Sequence, residues 1–410
     1  MENSMAAHTR EFFSWGKAST VAPLPFERQT LIVVKLKGVF MLYRPYGKTG
    51  KRISVISAGG MRFRDCADSA GIERAAQILV HAYRKGINYF DTAPYYCGDR
   101  SEEIVGTALK ELPPNQVYVS TKCTAASGAD LRRSLEKSLQ RLGLDRIHFF
   151  HIWCLIRPEE WAERTAGGAI EAAFRAKEEG LIEHVVASTH MNGDDTAQLI
   201  EKGVFEGLTI GYNAINFPFR QKAVEAAEKA GLGLVIMNPL AGGLIPQNGR
   251  RFDFIRSPHD PDVVTAALRF LVSQSAITSA LVGFSCEEEV DHAVDALTGF
   301  EPYDAAFIER MKKRIESHFD QLCTGCGYCL PCPQNIPIPK YMDSYNHLIL
   351  DGRDQAVLDR LKWHWDLGAS GSSDCVACGQ CETACTQHLP IVQRLQRIAA
   401  LPDAPAPEEP

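Results

Sequence analysis

Long apolar runs and an excess of positive charge are both missing from this sequence. No apolar run reaches the roughly 18 residues that are needed to cross a bilayer. The 44 Lys and Arg residues stand against 50 Asp and Glu residues, which gives a formal charge of −6. This balance gives no electrostatic reason to expect nucleic acid or an acidic membrane as a partner. Because no basic stretch followed by an apolar stretch opens the sequence, we expect no secretory signal and a cytoplasmic location.

Cysteine, by contrast, is abundant and unevenly distributed. Of thirteen cysteines, eight crowd into the last ninety or so residues. Disulfide frameworks are typical of small secreted domains, so this clustering favours metal binding instead. We expect small apolar side chains or inert thiols at the scattered cysteines, which are Cys66, Cys97, Cys123, Cys154 and Cys286.

From about residue 52, short β-branched or aromatic runs alternate with longer amphipathic stretches. The runs include INYFDTA, VYVSTK and IHFFHIW, and the helical stretches include ADLRRSLEKSLQRLG, which ends in a helix-stopping glycine. About eight strand–helix units over roughly 240 residues predict a TIM (β/α)8 barrel, an α/β fold. A doubly wound sheet is the alternative, because alternation alone cannot show that the sheet closes.

The two ends of the chain differ from this pattern. Residues 1–40 show no sustained period, so we expect an N-terminal extension that is disordered or that lies upstream of a natural start at Met41. The barrel is expected over residues 41–320 and a small helical cysteine domain over residues 321–395. Residues 396–410, which end in a Pro-rich acidic stretch, are expected to be a disordered tail.

The eight clustered cysteines form two runs. The first run is C-T-G-C-G-Y-C-L-P-C-P and the second is C-V-A-C-G-Q-C-E-T-A-C. The spacing C-x2-C-x2-C-x3-C is the bacterial ferredoxin pattern for cubane iron–sulfur clusters. We therefore predict two 4Fe-4S clusters in a ferredoxin-like domain, with the ligands Cys323, Cys326, Cys329, Cys332, Cys375, Cys378, Cys381 and Cys385.

By analogy with two-cluster ferredoxins, the fourth cysteine of each run serves the other cluster. This pairs Cys385 with the first three cysteines of the first run, and Cys332 with the first three of the second. Two departures bear on the pairing: the first run has x2 before its last cysteine, and Thr386 stands where proline is usual. Two four-cysteine zinc sites are the alternative, but zinc needs only two C-x2-C pairs per site.

Polar residues follow several of the predicted strands, where TIM-barrel enzymes keep their chemistry. The segment DTAPYYCGDRSEEIVG resembles the D-T-A-x-x-Y…S-E…G signature of the aldo/keto reductase family. Similar motifs, such as EEGLIEHVVASTH and MNPLAGGL, extend the resemblance over residues 42–300. It implies an oxidoreductase that acts on a small-molecule carbonyl/alcohol pair, with the catalytic residues Asp91, Tyr96, Lys122 and His151.

The resemblance also implies roles for these residues. Tyr96 would protonate the carbonyl oxygen, and the Lys122 ammonium, paired with Asp91, would lower the pKa of Tyr96. His151 would orient the carbonyl or relay a proton. Tyr95 is the neighbouring candidate, but the family places the acid five residues after the aspartate. Each side chain also has a structural alternative, such as a helix cap, an ion pair or core packing.

A nicotinamide cofactor is implied by the same resemblance. No G-x-G-x-x-G motif follows a predicted strand, so a Rossmann-type site for it is not supported. Three acids, Glu287, Glu288 and Glu289, lie where NADP-dependent members carry basic side chains. This slightly favours NAD over NADP and leaves weak nucleotide binding as the alternative. The cofactor-binding residues implied are Ser188, Thr189, Tyr212, Asn238, Pro239, Leu240, Gly283 and Ser285.

Joining a hydride-transfer site to one-electron clusters leaves three interpretations open. In the first, the clusters exchange electrons with a redox protein partner through a further step. In the second, the barrel works alone and the clusters stabilise or dock the domain. In the third, the protein is a non-enzymatic electron carrier or redox sensor on an inactive barrel.

Overall fold

The computed structural model describes residues 32–36 and 39–402. Eleven strands are present in this part of the chain. They are β1 (Ile32–Leu36), β2 (Val39–Pro45), β3 (Arg52–Ser54), β4 (Ile56–Gly59), β5 (Tyr89–Asp91), β6 (Tyr118–Cys123), β7 (Ile147–Leu155), β8 (Ile182–Thr189), β9 (Gly207–Gly211), β10 (Gly233–Met237) and β11 (Ser279–Gly283).

Fifteen α-helices accompany these strands in the described residues. They are α1 (Ser69–Arg84), α2 (Ser101–Leu109), α3 (Gly128–Leu142), α4 (Pro158–Ala166), α5 (Ala169–Glu178), α6 (Gly193–Glu201), α7 (Gln221–Ala230), α8 (Leu244–Gln247), α9 (Val263–Ser273), α10 (Glu287–Asp295), α11 (Ala305–Lys312), α12 (Ile338–Asp351), α13 (Asp354–Arg360), α14 (Gln380–Thr383) and α15 (Ile391–Ala399). Over residues 32–36 and 39–402, none of the helices is long and apolar enough to cross a membrane.

The strands β4 to β11 pair in parallel and in chain order, and β11 closes onto β4. This closed barrel confirms the predicted TIM barrel and removes the doubly wound alternative. Helix α3 illustrates why the outer ring forms: Leu131, Leu135 and Leu142 fall on one buried face at helical spacing. The Ser127 side chain caps its first turn, and Gly143, at φ +65°, ends it in the left-handed conformation.

The N-terminal end of the barrel is plugged by an aromatic side chain. Tyr46, in the turn between β2 and β3, is fully buried, and its ring centroid lies 4.2 Å from that of Phe149. Gly207 and Gly233, the first residues of β9 and β10, make room for it, because a Cβ on either would lie about 2 Å from the tyrosine ring. Since this end is filled, the opposite end is left for a site.

A second core holds the C-terminal domain together. Helices α12, α13 and α15 bury Tyr341, Met342, Leu358, Leu395 and other apolar side chains. Cysteines of both runs pack against this core. The domain is helical, as predicted, and it lies on the barrel through contacts described below.

Both expected chain ends need correction. The boundary at residue 40 falls inside β2, and Ile32–Leu36 forms a strand that pairs antiparallel with it, so disorder throughout residues 1–40 is wrong. Residues 1–31 lie outside the described residues. At the other end, α15 continues through Ala399, so a tail that begins at residue 396 is wrong, because Leu395 and Ile398 both pack into the second core. Residues 403–410 lie outside the described residues.

Candidate active site and cysteine clusters

Parallel strand ends bring three of the predicted catalytic side chains together. Asp91 is the last residue of β5 and pairs in register with Ser120 of β6. Lys122 of β6 lies directly opposite His151 of β7. All three are buried, so the polar group is enclosed at the C-terminal end of the barrel.

An ion pair forms the base of this group. The Lys122 Nζ donates to Asp91 Oδ2 at 2.5 Å and to the Thr92 carbonyl oxygen at 2.7 Å. The Ser120 hydroxyl donates to the other Asp91 oxygen at 2.6 Å. Burial lowers the pKa of Lys122, while the carboxylate of Asp91 opposes that change. Lys122 therefore depends on Asp91 to remain charged inside the protein.

Tyr96 lies in the loop after β5, half-buried above this pair. The Lys122 Nζ is 5.2 Å from the centroid of its ring. The expectation that Lys122 lowers the pKa of Tyr96 is not met: burial, followed by the nearby Tyr328 phenol and Asp91, raises that pKa well above 10. The Lys122 ammonium itself donates to Asp91 and to the Thr92 carbonyl oxygen. Tyr95 is 72% exposed, which leaves Tyr96 as the enclosed phenol.

His151 completes the group as a neutral side chain. It is fully buried, and its Nε2 lies 3.9 Å from Asp91 Oδ1. Burial, with a smaller effect of the Lys122 charge, lowers its pKa well below 6.5. By distance and angle, neither ring nitrogen has a hydrogen-bond partner within the described part of the chain, although the Ala187 backbone lies near enough to oppose the fall in pKa. An unsatisfied buried imidazole is costly, so a group that bonds to it is expected in the working site.

Aromatic residues that sequence reasoning did not identify surround Tyr96. Trp153, two residues after His151 in β7, packs edge-on against Tyr96 with the ring centroids 5.5 Å apart. Tyr328, from the first cysteine run, packs in the same cluster as Tyr96 and Trp153. Its ring centroid lies 6.1 Å from that of Trp153 and 6.4 Å from that of His190. The alternation of strand residues could have indicated Trp153, but no local signal indicates Tyr328, because its position depends on how the C-terminal domain lies on the barrel.

The predicted cofactor residues are divided by the fold. Ser188 and Thr189 end β8 and are buried, and the Thr189 hydroxyl donates to the Leu155 carbonyl oxygen at 3.0 Å. Tyr212 is fully buried and stacks on Phe270 of α9, with the centroids 6.0 Å apart. Its ring therefore belongs to the core between the barrel and its helices, and not to the open strand ends.

The remaining cofactor residues follow β10 and β11. Asn238, Pro239 and Leu240 form the loop after β10, and Gly283 ends β11. Ser285 is occupied within the chain, because its amide and hydroxyl both donate to Glu289 Oε2, at 2.7 and 3.1 Å. An internal carboxylate thus takes the donors that a phosphate would use at the start of α10.

The eight C-terminal cysteines form two groups in space. All thirteen cysteines of the chain fall in the described part and carry free thiols. One cavity of about 160 Å³ is lined by Cys329, Cys332, Cys375, Cys378 and Cys381. On the other side, Cys326 Sγ lies 3.5 Å from the hydroxyl of Thr386, which follows Cys385. Because Cys329 lines the same cavity as Cys332 and the second run, the assignment of each thiol to a cluster stays a prediction.

The electrostatics of these thiols suit a bound cationic cluster. Burial raises the pKa of Cys323 to about 12, and the sulfurs of Cys326, Cys329 and Cys385 add to the rise. Burial likewise raises the pKa of Cys329 to about 12 and that of Cys381 to about 11. Iron binds the thiolate form and displaces the proton, and the positive iron core would offset the repulsion among these sulfurs.

The spacing of the thiols bears on the zinc alternative. Among the described residues, no three His, Cys, Asp or Glu side chains converge closely enough to hold one metal ion. A tetrahedral zinc site draws four ligand atoms to about 2.3 Å from one point. A cubane instead takes one thiolate at each of four separate iron corners, so its ligands need not converge. The free thiols and the cysteine-lined cavity therefore fit 4Fe-4S clusters.

Comparison with known proteins agrees with both halves. The aldo/keto reductase family model matches residues 55–316, and the model of the 4Fe-4S dicluster domain matches residues 322–389. L-galactose dehydrogenase from Arabidopsis thaliana is 26% identical over 285 residues, which cover 63% of this chain and 88% of that protein. NADH-specific methylglyoxal reductase from Escherichia coli (strain K12) is 25% identical over 290 residues, 58% of this chain and 87% of that protein.

A solved structure resembles the barrel as well. The aldo-keto reductase AKR11C1 from Bacillus halodurans, in its holo form, aligns with a TM-score of 0.57 at 20% identity and covers 67% of this chain and 96% of that one. At this identity the likeness concerns the fold alone. With the family model matching more than half of its length, the chain belongs to the aldo/keto reductase family and carries a 4Fe-4S domain after its barrel.

Proposed function

We propose that the barrel interconverts a small-molecule carbonyl and its alcohol at the site of Asp91, Tyr96, Lys122 and His151. The observation that carries this proposal is the buried Asp91–Lys122 ion pair beneath a half-buried phenol and a neutral, unpartnered imidazole. A charged pair at this depth costs several kcal/mol to desolvate. Such a cost at the C-terminal end of a TIM barrel is typical of a catalytic site.

The side chains have complementary roles in this reaction. Reduction of the carbonyl takes a hydride at its carbon and a proton at its oxygen, and a nicotinamide, when bound, would supply the hydride. Tyr96 gives its hydroxyl proton to the carbonyl oxygen, and the Lys122 ammonium stabilises the phenolate that develops. Asp91 holds Lys122 in place and keeps it charged. The neutral His151 donates a hydrogen bond to the same carbonyl oxygen, which satisfies one of its free ring nitrogens.

The C-terminal domain, in this proposal, holds two 4Fe-4S clusters. Cys323, Cys326, Cys329 and Cys385 would bind one, and the remaining cysteines that line the 160 Å³ cavity would bind the other. Such clusters supply electrons one at a time. Leu330 and Val376, both exposed, border the cavity and suit contact with a redox protein partner.

A nicotinamide cofactor is implied by membership of the family. Where such a cofactor binds, the acids Glu287, Glu288 and Glu289 would favour NAD over NADP, since carboxylates repel the additional phosphate.

Tyr96→Phe tests the catalytic role, with Tyr95→Phe as the matched control. Loss of the phenolic proton is expected to lower carbonyl turnover by about 10²- to 10⁴-fold. Tyr95 is 72% exposed, so its variant is expected to keep turnover near the wild-type level. Equal turnover in both variants would contradict the acid role and would favour the second candidate, an electron carrier or redox sensor, which the covered cofactor positions also favour.

A further inference from the structure

The first cysteine run lies directly on the loop that should face a dinucleotide. A Cβ built on Gly242, two residues after Leu240, would lie 2.1 Å from the carbonyl oxygen of Thr324. Arg62 reaches the same oxygen from the other side, with Nη2 at 3.4 Å. Its side chain also crosses Gly283, where a Cβ would lie 2.5 Å from Arg62 Cγ. The Thr324 backbone and the Arg62 side chain therefore lie over the loop after β10 and over the end of β11, where a dinucleotide would pass.

One pocket between the two domains, beside the loop after β10, is very small. Its volume is about 20 Å³, and its walls come from both domains, with His190, Asn238, Thr324 and Gln387 among them. About 10–15 Å³ is enough for one water molecule, whereas pockets for drug-sized ligands take about 300–1,000 Å³. This pocket beside Asn238 therefore has room for about one water molecule and not for part of a dinucleotide.

Two hydrogen bonds hold the C-terminal domain in this position, and an ion pair holds the segment that leads into it. Arg220 forms an ion pair with Asp320 at 2.9 Å, and both side chains are largely buried. His388 Nε2 lies 3.1 Å from the His190 carbonyl oxygen. The Arg157 guanidinium donates to the carbonyl oxygen of Thr383 at 3.0 Å.

Tyr328 fills the position next to the catalytic phenol. It enters from the cysteine run and packs against Tyr96, Trp153 and Cys154. It also approaches the ring of His190, which follows Ser188 and Thr189 on the cofactor side of the site. The site is therefore composite, with one aromatic wall supplied by the C-terminal domain.

We infer that the cysteine-run loop, residues 323–329, replaces the nicotinamide dinucleotide in this barrel. Thr324 closes the path of the pyrophosphate, and Tyr328 takes the place beside Tyr96 and His190. The barrel of the iron-loaded protein then binds neither NAD(H) nor NADP(H). Because the carbonyl chemistry proposed above takes its hydride from a nicotinamide, exclusion of both nucleotides would favour the second candidate, an electron carrier or redox sensor, whereas saturable nucleotide binding would overturn this inference and leave the carbonyl chemistry standing.

Equilibrium dialysis of the full chain against NADH and NADPH tests the exclusion. The protein is purified without oxygen, and its iron and sulfide are measured to show that the domain is loaded. The NADH-specific reductase from Escherichia coli serves as the positive control. We expect no saturable binding of either nucleotide to this protein up to about 1 mM, a concentration at which even weak complexes form. Saturable binding of either one would overturn the inference.

Tyr328→Ala, compared with Tyr328→Phe, tests the second part of the inference, that Tyr328 occupies the place beside Tyr96 and His190. If the tyrosine fills a formed slot, its removal leaves a cavity that p-cresol, which matches its side chain, can occupy. We expect p-cresol to raise the Tm of the alanine variant, and to leave the Tm of the phenylalanine variant and the wild type unchanged. No rise in the alanine variant, or the same rise in all three proteins, would show that the slot is not built around Tyr328.

Discussion

The buried Asp91–Lys122 pair gives a prediction whose size follows from its geometry. Both side chains are only 3–4% exposed, and their charged atoms are 2.5 Å apart. In Asp91→Asn the shape is retained, but the Lys122 ammonium loses its charge partner. Removing one member of a buried pair costs about 3–5 kcal/mol of the free energy of unfolding, because the other charge remains buried and uncompensated.

The loss of stability in Asp91→Asn is limited, because the buried Lys122 can release its proton and become neutral. Burial already lowers the pKa of Lys122, and Asp91 is the largest influence opposing it, so Asp91→Asn lowers that pKa further. Above the folded pKa and below the unfolded value of 10.5, the unfolded chain holds more protons than the folded one. The stability of Asp91→Asn therefore rises with pH across that window.

A double-mutant cycle measures the coupling directly. Lys122→Met alone leaves a buried carboxylate, whereas Asp91→Asn with Lys122→Met removes both charges and is expected to recover most of the lost stability. Urea unfolding of the barrel, followed by circular dichroism, is the assay. A loss below about 1 kcal/mol for Asp91→Asn, or strict additivity in the cycle, would refute a buried ion pair.

Three further outcomes are expected. Cys332→Ser and Cys385→Ser should each lower the iron content by about one cluster's share, and an unchanged content in both would contradict the paired ligand groups. Burial lowers the pKa of His148 to about 4, so the unfolded chain binds more protons between about pH 4 and 6.5. Stability should then fall with acidification in that window, and His148→Gln should flatten the unfolding curve against pH. Arg220→Ala should weaken the attachment of the C-terminal domain and speed hydrogen exchange around Asp320, whereas unchanged exchange would mean that this ion pair does not hold the domain.

The sequence predicted features whose cause is local. Strand–helix alternation predicts the barrel, because each amphipathic segment must bury one face, and the cysteine spacing predicts the ligand runs. Asp91, Lys122 and His151 were predictable as neighbours, since parallel strand ends meet at one face of a barrel.

Features that depend on distant contacts were not predictable. The place of Tyr328 beside Tyr96 and that of Thr324 on Gly242 arise from the attachment of one domain to another. The burial of Tyr212 against Phe270 and the capture of Ser285 by Glu289 depend equally on how helices pack on the barrel. The pKa of Tyr96 follows from that enclosure and not from the motif in which it occurs.

Cofactor analysis of the native protein tests the central claim, two 4Fe-4S clusters held by the eight C-terminal cysteines. Purification without oxygen should give a brown protein with broad absorbance near 400 nm and about eight iron and eight sulfide per chain. A colourless protein that contains zinc, or one whose C-terminal sulfurs are joined as disulfides, would contradict the account.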